Sequence, residues 1–296
     1  MTSMIYIAPT DLRDYAKAKG WALLKEASKD RLYVMTHPAF EHHQLVFPMD
    51  ATAPDFLQAV TLAIEKLAAI DGRSPQSILK SLLEVGDDAI SFKVESPCLT
   101  EQSVPLAFAA SMLEGVKQLL LSSVCTVLRP QIHHPRLDLT EAQQLIEVTR
   151  FRNTQMDGFV LNVSCPVQSM DVLTPPEGDV PFVRSSTLVL HRSLTQLIEA
   201  IETDTLDALV ETQMKSRAPL ISSNFCEALA QFEDLSLKNS IEIDVTWATV
   251  IALPAGANFV STVRVQNDYF SRIKEVRCEL SAAAEKTDRD NFNQHS

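Results

Sequence analysis

From residue 241 to 247 apolar and polar positions alternate one by one: Ile241, Ile243, Val245 and Trp247 against Glu242, Asp244 and Thr246. A period of two puts each set on one face of a β-strand, so the segment predicts a strand with one buried face. Ile90, Phe92 and Val94 alternate with Ser91, Lys93 and Glu95 and predict a strand over 88–96. The run GFVLNVSCPV predicts another over 158–167, and NFVSTVRV an edge strand after the 241–247 one. Nearer the N-terminus, WALLKEA, RLYVMTH and HQLVFP are short apolar runs separated by SKD and HPAFEH. That spacing predicts an antiparallel meander, with Val34, Leu45 and Phe47 facing inward.

Elsewhere the period lengthens to that of a helix. Phe56, Val60, Ile64 and Leu67 form one stripe, with Thr52 as N-cap, Pro54 in the first turn and Gly72 as the stop. Ser74 and Pro75 open the next helix. Thr140 and Gln143 have the spacing of a capping box. Leu190, Leu194, Leu197, Ile198 and Ile201 make a second stripe, and LDALVETQMK and SNFCEALAQF continue helical. Asn267 caps a last helix carrying Phe270, Ile273, Val276 and Leu280. PTDLRDYAKAKG is a short helix stopped by Gly20. Residues 104–128 are apolar almost all round and long enough to span a bilayer. Glu114 and Lys117 sit near the middle, however, and a charge at mid-bilayer costs roughly 2.5–3.5 kcal/mol. The segment therefore predicts the central buried helix of the fold.

These elements predict an α+β fold: a mostly antiparallel sheet covered by long helices. One domain over 1–284 is expected, with the Pro-rich loop 168–183 as its internal boundary, followed by a polar tail over 285–296. SVPLAFAASML and DVPFVRSSTLVL both follow a strand and open a helix in the same way. Duplicated strand–helix units would explain this, as would the frequency with which proline starts helices.

Composition narrows the function classes. A formal charge of −12 repels phosphate backbones, so nucleic-acid binding would need a local Arg patch working against the global field. The five cysteines are scattered, with no CxxC pair, and read as reduced thiols of a cytoplasmic protein. No basic-then-apolar signal pattern opens the chain. GxSxG, GxxxxGK[ST] and GxGxxG are all missing, so no catalytic or nucleotide motif points to an enzyme, and no cofactor is expected.

Three segments carry candidate chemistry. His37, His42 and His43 fall within seven residues, with Glu41 and Asp50 nearby. They could serve a metal or acid–base site, although adjacent side chains on a strand point to opposite faces and no paired ligand spacing is present. The simpler reading is the tip of a hairpin. His133 and His134 lie in a second, proline-bounded loop, and Asp87 and Asp88 in an acidic turn. In RFRNTQMDGF, the residues Arg150, Arg152, Asn153, Thr154, Gln155 and Asp157 crowd a helix-to-strand junction. Arginine offers a planar fork to carboxylates, and Gln reads amide groups. Arg150, Arg152 and Gln155 are thus the candidate binding residues; an internal network closing the helix end is the competing reading. In SSNFCEALAQF, Ser222 or Ser223 caps a helix.

RFRNTQMDGFVLNV, SNFCEALAQF and IEIDVTWA together resemble a group of uncharacterised bacterial proteins of unknown function, over most of residues 10–250. That resemblance implies a bacterial chain shorter at its C-terminus than the rest of the group, and a defence or mobile-element setting; it carries no activity and no catalytic residue. The leading expectation is a non-catalytic interaction or accessory protein with a protein partner. A small-molecule ligand is the lesser option, and neither nucleic acid nor membrane is expected. The alternative is a metal-dependent hydrolase built on His37, His42 or His43 with a carboxylate, and a weaker one is nucleic-acid binding through a local Arg patch.

Overall fold

The computed structural model describes residues 7–24, 29–40, 42–83, 85–98, 103–152, 158–170, 172, 180–249, 251, 253 and 261–294. Their architecture is α+β, with a three-stranded and a five-stranded antiparallel sheet. Instead of one domain, the chain divides into two compact units: residues 1–87 with 247–257, and residues 88–246 with 258–296. The 168–183 stretch, of which 171 and 173–179 lie outside the described residues, falls within the range of the second unit, and Phe182 and Val183 are helical. Hydrophobic alternation identifies a strand but not the sheet it joins, which is why this division was not legible in the pattern.

The first unit holds α1 (Pro9–Ala18), the meander β1 (Ala22–Leu23), β2 (Leu32–Thr36) and β3 (Gln44–Pro48), then α2 (Phe56–Asp71) and α3 (Pro75–Leu83). Its core joins Leu12, Trp21, Met35, Leu45, Phe47, Val60, Leu67 and Ile78. Met35 pairs with Leu45 and Tyr33 with Phe47, so this row faces inward. Val34, expected inward, instead lies opposite the exposed Val46; a one-residue difference in register moves a side chain to the other face. α2 ends at Gly72 in the left-handed conformation (φ 64°), as expected. Ser74 Oγ accepts the N–H of Ser77 at 3.2 Å and caps α3. Thr52 does not cap α2, because its N–H and hydroxyl both donate to Asp50 in a turn that precedes the helix.

The second unit contains β4 (Asp87–Glu95), α4 (Leu106–Leu128), α5 (Thr140–Val148), β5 (Arg150–Arg152), β6 (Val160–Pro166), α6 (Phe182–Glu202), α7 (Leu206–Lys215), α8 (Ser223–Ala230), β7 (Ser240–Thr246), β8 (Thr262–Val265) and α9 (Tyr269–Gln294). Strand order is β5-β6-β4-β7-β8, with β5 and β8 at the edges. β4 and β7 pair antiparallel from Ala89↔Thr246 to Glu95↔Ser240. α4 packs against α5, α6 and α8, and most of its apolar span is buried there.

Three expectations about helix ends change. Thr140 opens α5 but Leu139 is its N-cap, and Gln143 turns to the Leu137 carbonyl. Asn267 donates to the Asn239 carbonyl. α9 continues through the supposed polar tail to Gln294. That stretch holds no Gly or Pro, follows directly on the strong helix formers Ala282–Ala284, and gains an Arg289–Glu285 pair at 3.7 Å one turn apart.

β4 also buries a charge. Its inward row is Asp88, Ile90, Phe92 and Val94. Arg184, in the first turn of α6, reaches Asp88 with Nε at 2.8 and 3.1 Å from the two carboxylate oxygens. The Thr187 hydroxyl donates to the same carboxylate at 2.5 Å. Both charged side chains are fully buried.

Candidate functional site

The sequence-predicted binding residues sit on β5, a three-residue edge strand. It pairs with β6 as Arg150↔Ser164, Phe151↔Val163 and Arg152↔Asn162. α5 delivers the chain to this edge: the Thr149 hydroxyl donates back to the Leu145 carbonyl at 2.7 Å and lies 3.7 Å from the buried Cys165 sulfur on β6. Arg150 is exposed, and its Nη1 donates to the carbonyls of Glu147 (2.5 Å) and Thr149 (3.2 Å). It therefore closes the C-terminal turn of α5, where a cation also meets the negative end of the helix dipole. Phe151 is 57% exposed, a large ring on the edge strand of the sheet. The hydrophobic pattern alone did not single it out. Gln155, Asn153, Thr154 and Asp157 lie outside the described residues.

The opening histidines have local tasks. His37 closes the turn between β2 and β3: its Nδ1 accepts the Ala39 N–H at 3.1 Å, and its Nε2 lies 3.2 Å from the Lys19 carbonyl. Its ring meets Trp21 edge-on at 5.5 Å and Phe40 at 4.8 Å. Gly20 makes room for it, since a Cβ there would lie 3.0 Å from His37 Nε2 and the backbone is left-handed (φ 86°). His42 and His43 are exposed, and Glu41 lies outside the described residues. Among the described residues no group of three or more His, Cys, Asp or Glu side chains could hold a metal ion.

The second histidine pair anchors the loop after α4 onto α8. Ser222 caps α8 by accepting the Phe225 N–H at 3.2 Å. Asn224, in the first turn, accepts the His134 N–H at 2.8 Å and donates to the His134 carbonyl at 3.0 Å. The Ser223 N–H donates to the Ile132 carbonyl at 2.8 Å, and its hydroxyl lies 2.7 Å from His133 Nδ1. His134 is buried, with Nε2 at 3.2 Å from the Thr126 hydroxyl. Burial first, and the neighbouring His133 second, lower its pKa from the ordinary 6.5 to about 4. His191 is also buried, on the covered face of α6. Burial likewise pushes the Cys125 thiol up to about 11 and the Cys226 thiol up to about 12, so both stay protonated. Cys98 and Cys278 are exposed.

The lowered His134 pKa sets a pH dependence. Between about pH 6.5 and pH 4 the unfolded chain binds a proton that the folded site refuses, so stability falls as pH falls through this window and is full above it. The whole shift is worth about 3 kcal/mol; screening by solvent beside the loop leaves on the order of 2 kcal/mol. Urea midpoints at pH 7 and pH 4.5 should therefore differ less in His134→Gln than in the parent chain. Equal differences would remove His134 from the account.

No family model, curated protein or solved structure matches this chain. Its functional reading rests on its own residues.

Proposed function

We propose that this chain is a non-catalytic interaction protein whose β5 edge takes up an extended segment of a partner protein as an added strand. The observation that carries this reading is the position of Phe151: more than half exposed, on an edge strand, between Arg150 and Arg152. An edge strand offers backbone donors and acceptors to an incoming strand, and alternate side chains set the preference. An exposed ring favours an apolar side chain opposite it. The flanking arginines favour acidic neighbours, although Arg150 spends one of its guanidinium nitrogens on α5. The bacterial cytosolic setting, in a defence or mobile-element context, belongs to the same proposal and is supported by the resemblance of the 150–163, 223–232 and 241–248 segments.

The test is binding of a synthetic extended peptide of alternating Val and Glu, followed by fluorescence anisotropy. The parent chain should bind it, more weakly as salt is raised. Phe151→Ser should weaken binding at least tenfold, about 1.4 kcal/mol, while leaving the fold intact, since the ring is largely in water. Equal affinity of parent and variant would overturn the proposal.

A further inference from the structure

Away from the β5 edge, a cavity of about 410 Å³ opens between the loop after α4, the segment after α7 and the C-terminal half of α9. That volume falls in the range of small-molecule sites. Its apolar wall includes Ile132, Met214 and Pro219; its polar wall includes Gln131, His133 and Arg217. None of the residues lining it is acidic, in a chain with 38 Asp and Glu. Arg217 is a cation with no hydrogen bond or ion pair among the described residues.

The histidine is oriented by a second group. Its Nδ1 is held by the Ser223 hydroxyl at 2.7 Å. With Nδ1 engaged, Nε2 is the ring nitrogen that has no hydrogen bond among the described residues, and it carries the proton when the serine hydroxyl is the donor to Nδ1. The loop that carries His133 is itself tied to α8 through the Ile132 carbonyl and both polar backbone groups of His134. The His133 ring, the Arg217 guanidinium and the Gln131 amide therefore line a wall already in place, next to an apolar surface. We infer that this cavity binds a compact organic anion: a carboxylate or phosphate held by Arg217 and His133, with an apolar body against Ile132, Met214 and Pro219. Arginine matches both oxyanions by the same fork.

The experiment titrates the full chain, labelled with ¹³C in its histidine rings, with benzoate, phenyl phosphate and benzamide. The His133 resonance is assigned by its loss in His133→Gln. Benzoate, phenyl phosphate or both should move that resonance saturably, and the tighter of the two identifies the oxyanion. Neutral benzamide, of the same shape as benzoate, should bind at least tenfold more weakly. Arg217→Gln, an exposed substitution, should weaken the anions at least tenfold and leave benzamide unchanged. The inference is overturned if neither anion gives a saturable shift at millimolar concentration, if benzamide binds as well as the tighter anion, or if Arg217→Gln binds the anions like the parent chain.

Discussion

Replacing Arg184 by Met should destabilise the second unit by about 3–5 kcal/mol, the cost of removing one partner of a buried ion pair. The carboxylate of Asp88 would stay in the inward row of β4, among Ile90, Phe92 and Val94, with its arginine gone. The Thr187 hydroxyl, at 2.5 Å, would remain but supplies no charge. Met fills much of the volume of the Arg stem, so the loss is electrostatic more than steric. The double variant Asp88→Asn/Arg184→Met removes both charges and leaves an amide that Thr187 can still reach; it should recover most of the loss. Both tryptophans, Trp21 and Trp247, belong to the first unit. Urea unfolding of the second unit is therefore followed by hydrogen exchange of β4 and α6 amides. A double variant as unstable as Arg184→Met alone would show that shape, not charge, holds this junction.

Asp88 also marks where the sequence could be read and where it could not. Continuing the alternation of Ile90, Phe92 and Val94 two residues backwards lands on Asp88, so its inward position was available in the pattern. Its neighbour Asp87 and the preceding glycine made the same stretch look like an acidic turn, and no local rule says that a carboxylate is buried. The partner lies 96 residues away, on the covered side of α6, where Arg184, Ser186, Thr187, His191 and Ser193 are buried among apolar side chains. Polar residues on a buried stripe signal a partner, but only the folded chain names it. Strands 88–96, 158–167 and 241–247 and the stripes of α2, α6 and α9 followed directly from periodicity, because burial acts on each element separately. Helix caps did so only partly: Ser222 and Ser74 act as expected, whereas Thr52 and Thr140 were outcompeted by a turn and by the entry geometry of the chain. At the candidate site, the charge of Arg150 and Arg152 was conspicuous in the string. The edge position that exposes Phe151 was not, since an edge is a property of the whole sheet.

A second large effect is expected at Gly115, in the middle of α4. Helix propensity alone predicts that Gly115→Ala stabilises by about 1 kcal/mol. The packing predicts the reverse. A Cβ at this position would lie 2.5 Å from Phe232 Cε1 and 3.0 Å from the Ala228 carbonyl oxygen. Neither neighbour gives way easily. Ala228 offers backbone of α8, and the Phe232 ring is fully buried with its edge toward Phe92 at 5.5 Å. One turn earlier on the same face, the Ser111 hydroxyl donates to the Gln231 carbonyl at 2.9 Å, which fixes the approach of the two segments. The glycine thus allows α4 and α8 to come close. Overpacking should cost about 1–3 kcal/mol in Gly115→Ala and more in Gly115→Leu. Phe232→Leu, which shortens the ring that the new methyl meets, should couple to it: the double variant Gly115→Ala/Phe232→Leu should lose at least about 1 kcal/mol less than the two single losses added together. Urea midpoints of the four chains measure this directly. If Gly115→Ala raises the midpoint, the close approach of α4 and α8 is not what keeps a glycine there.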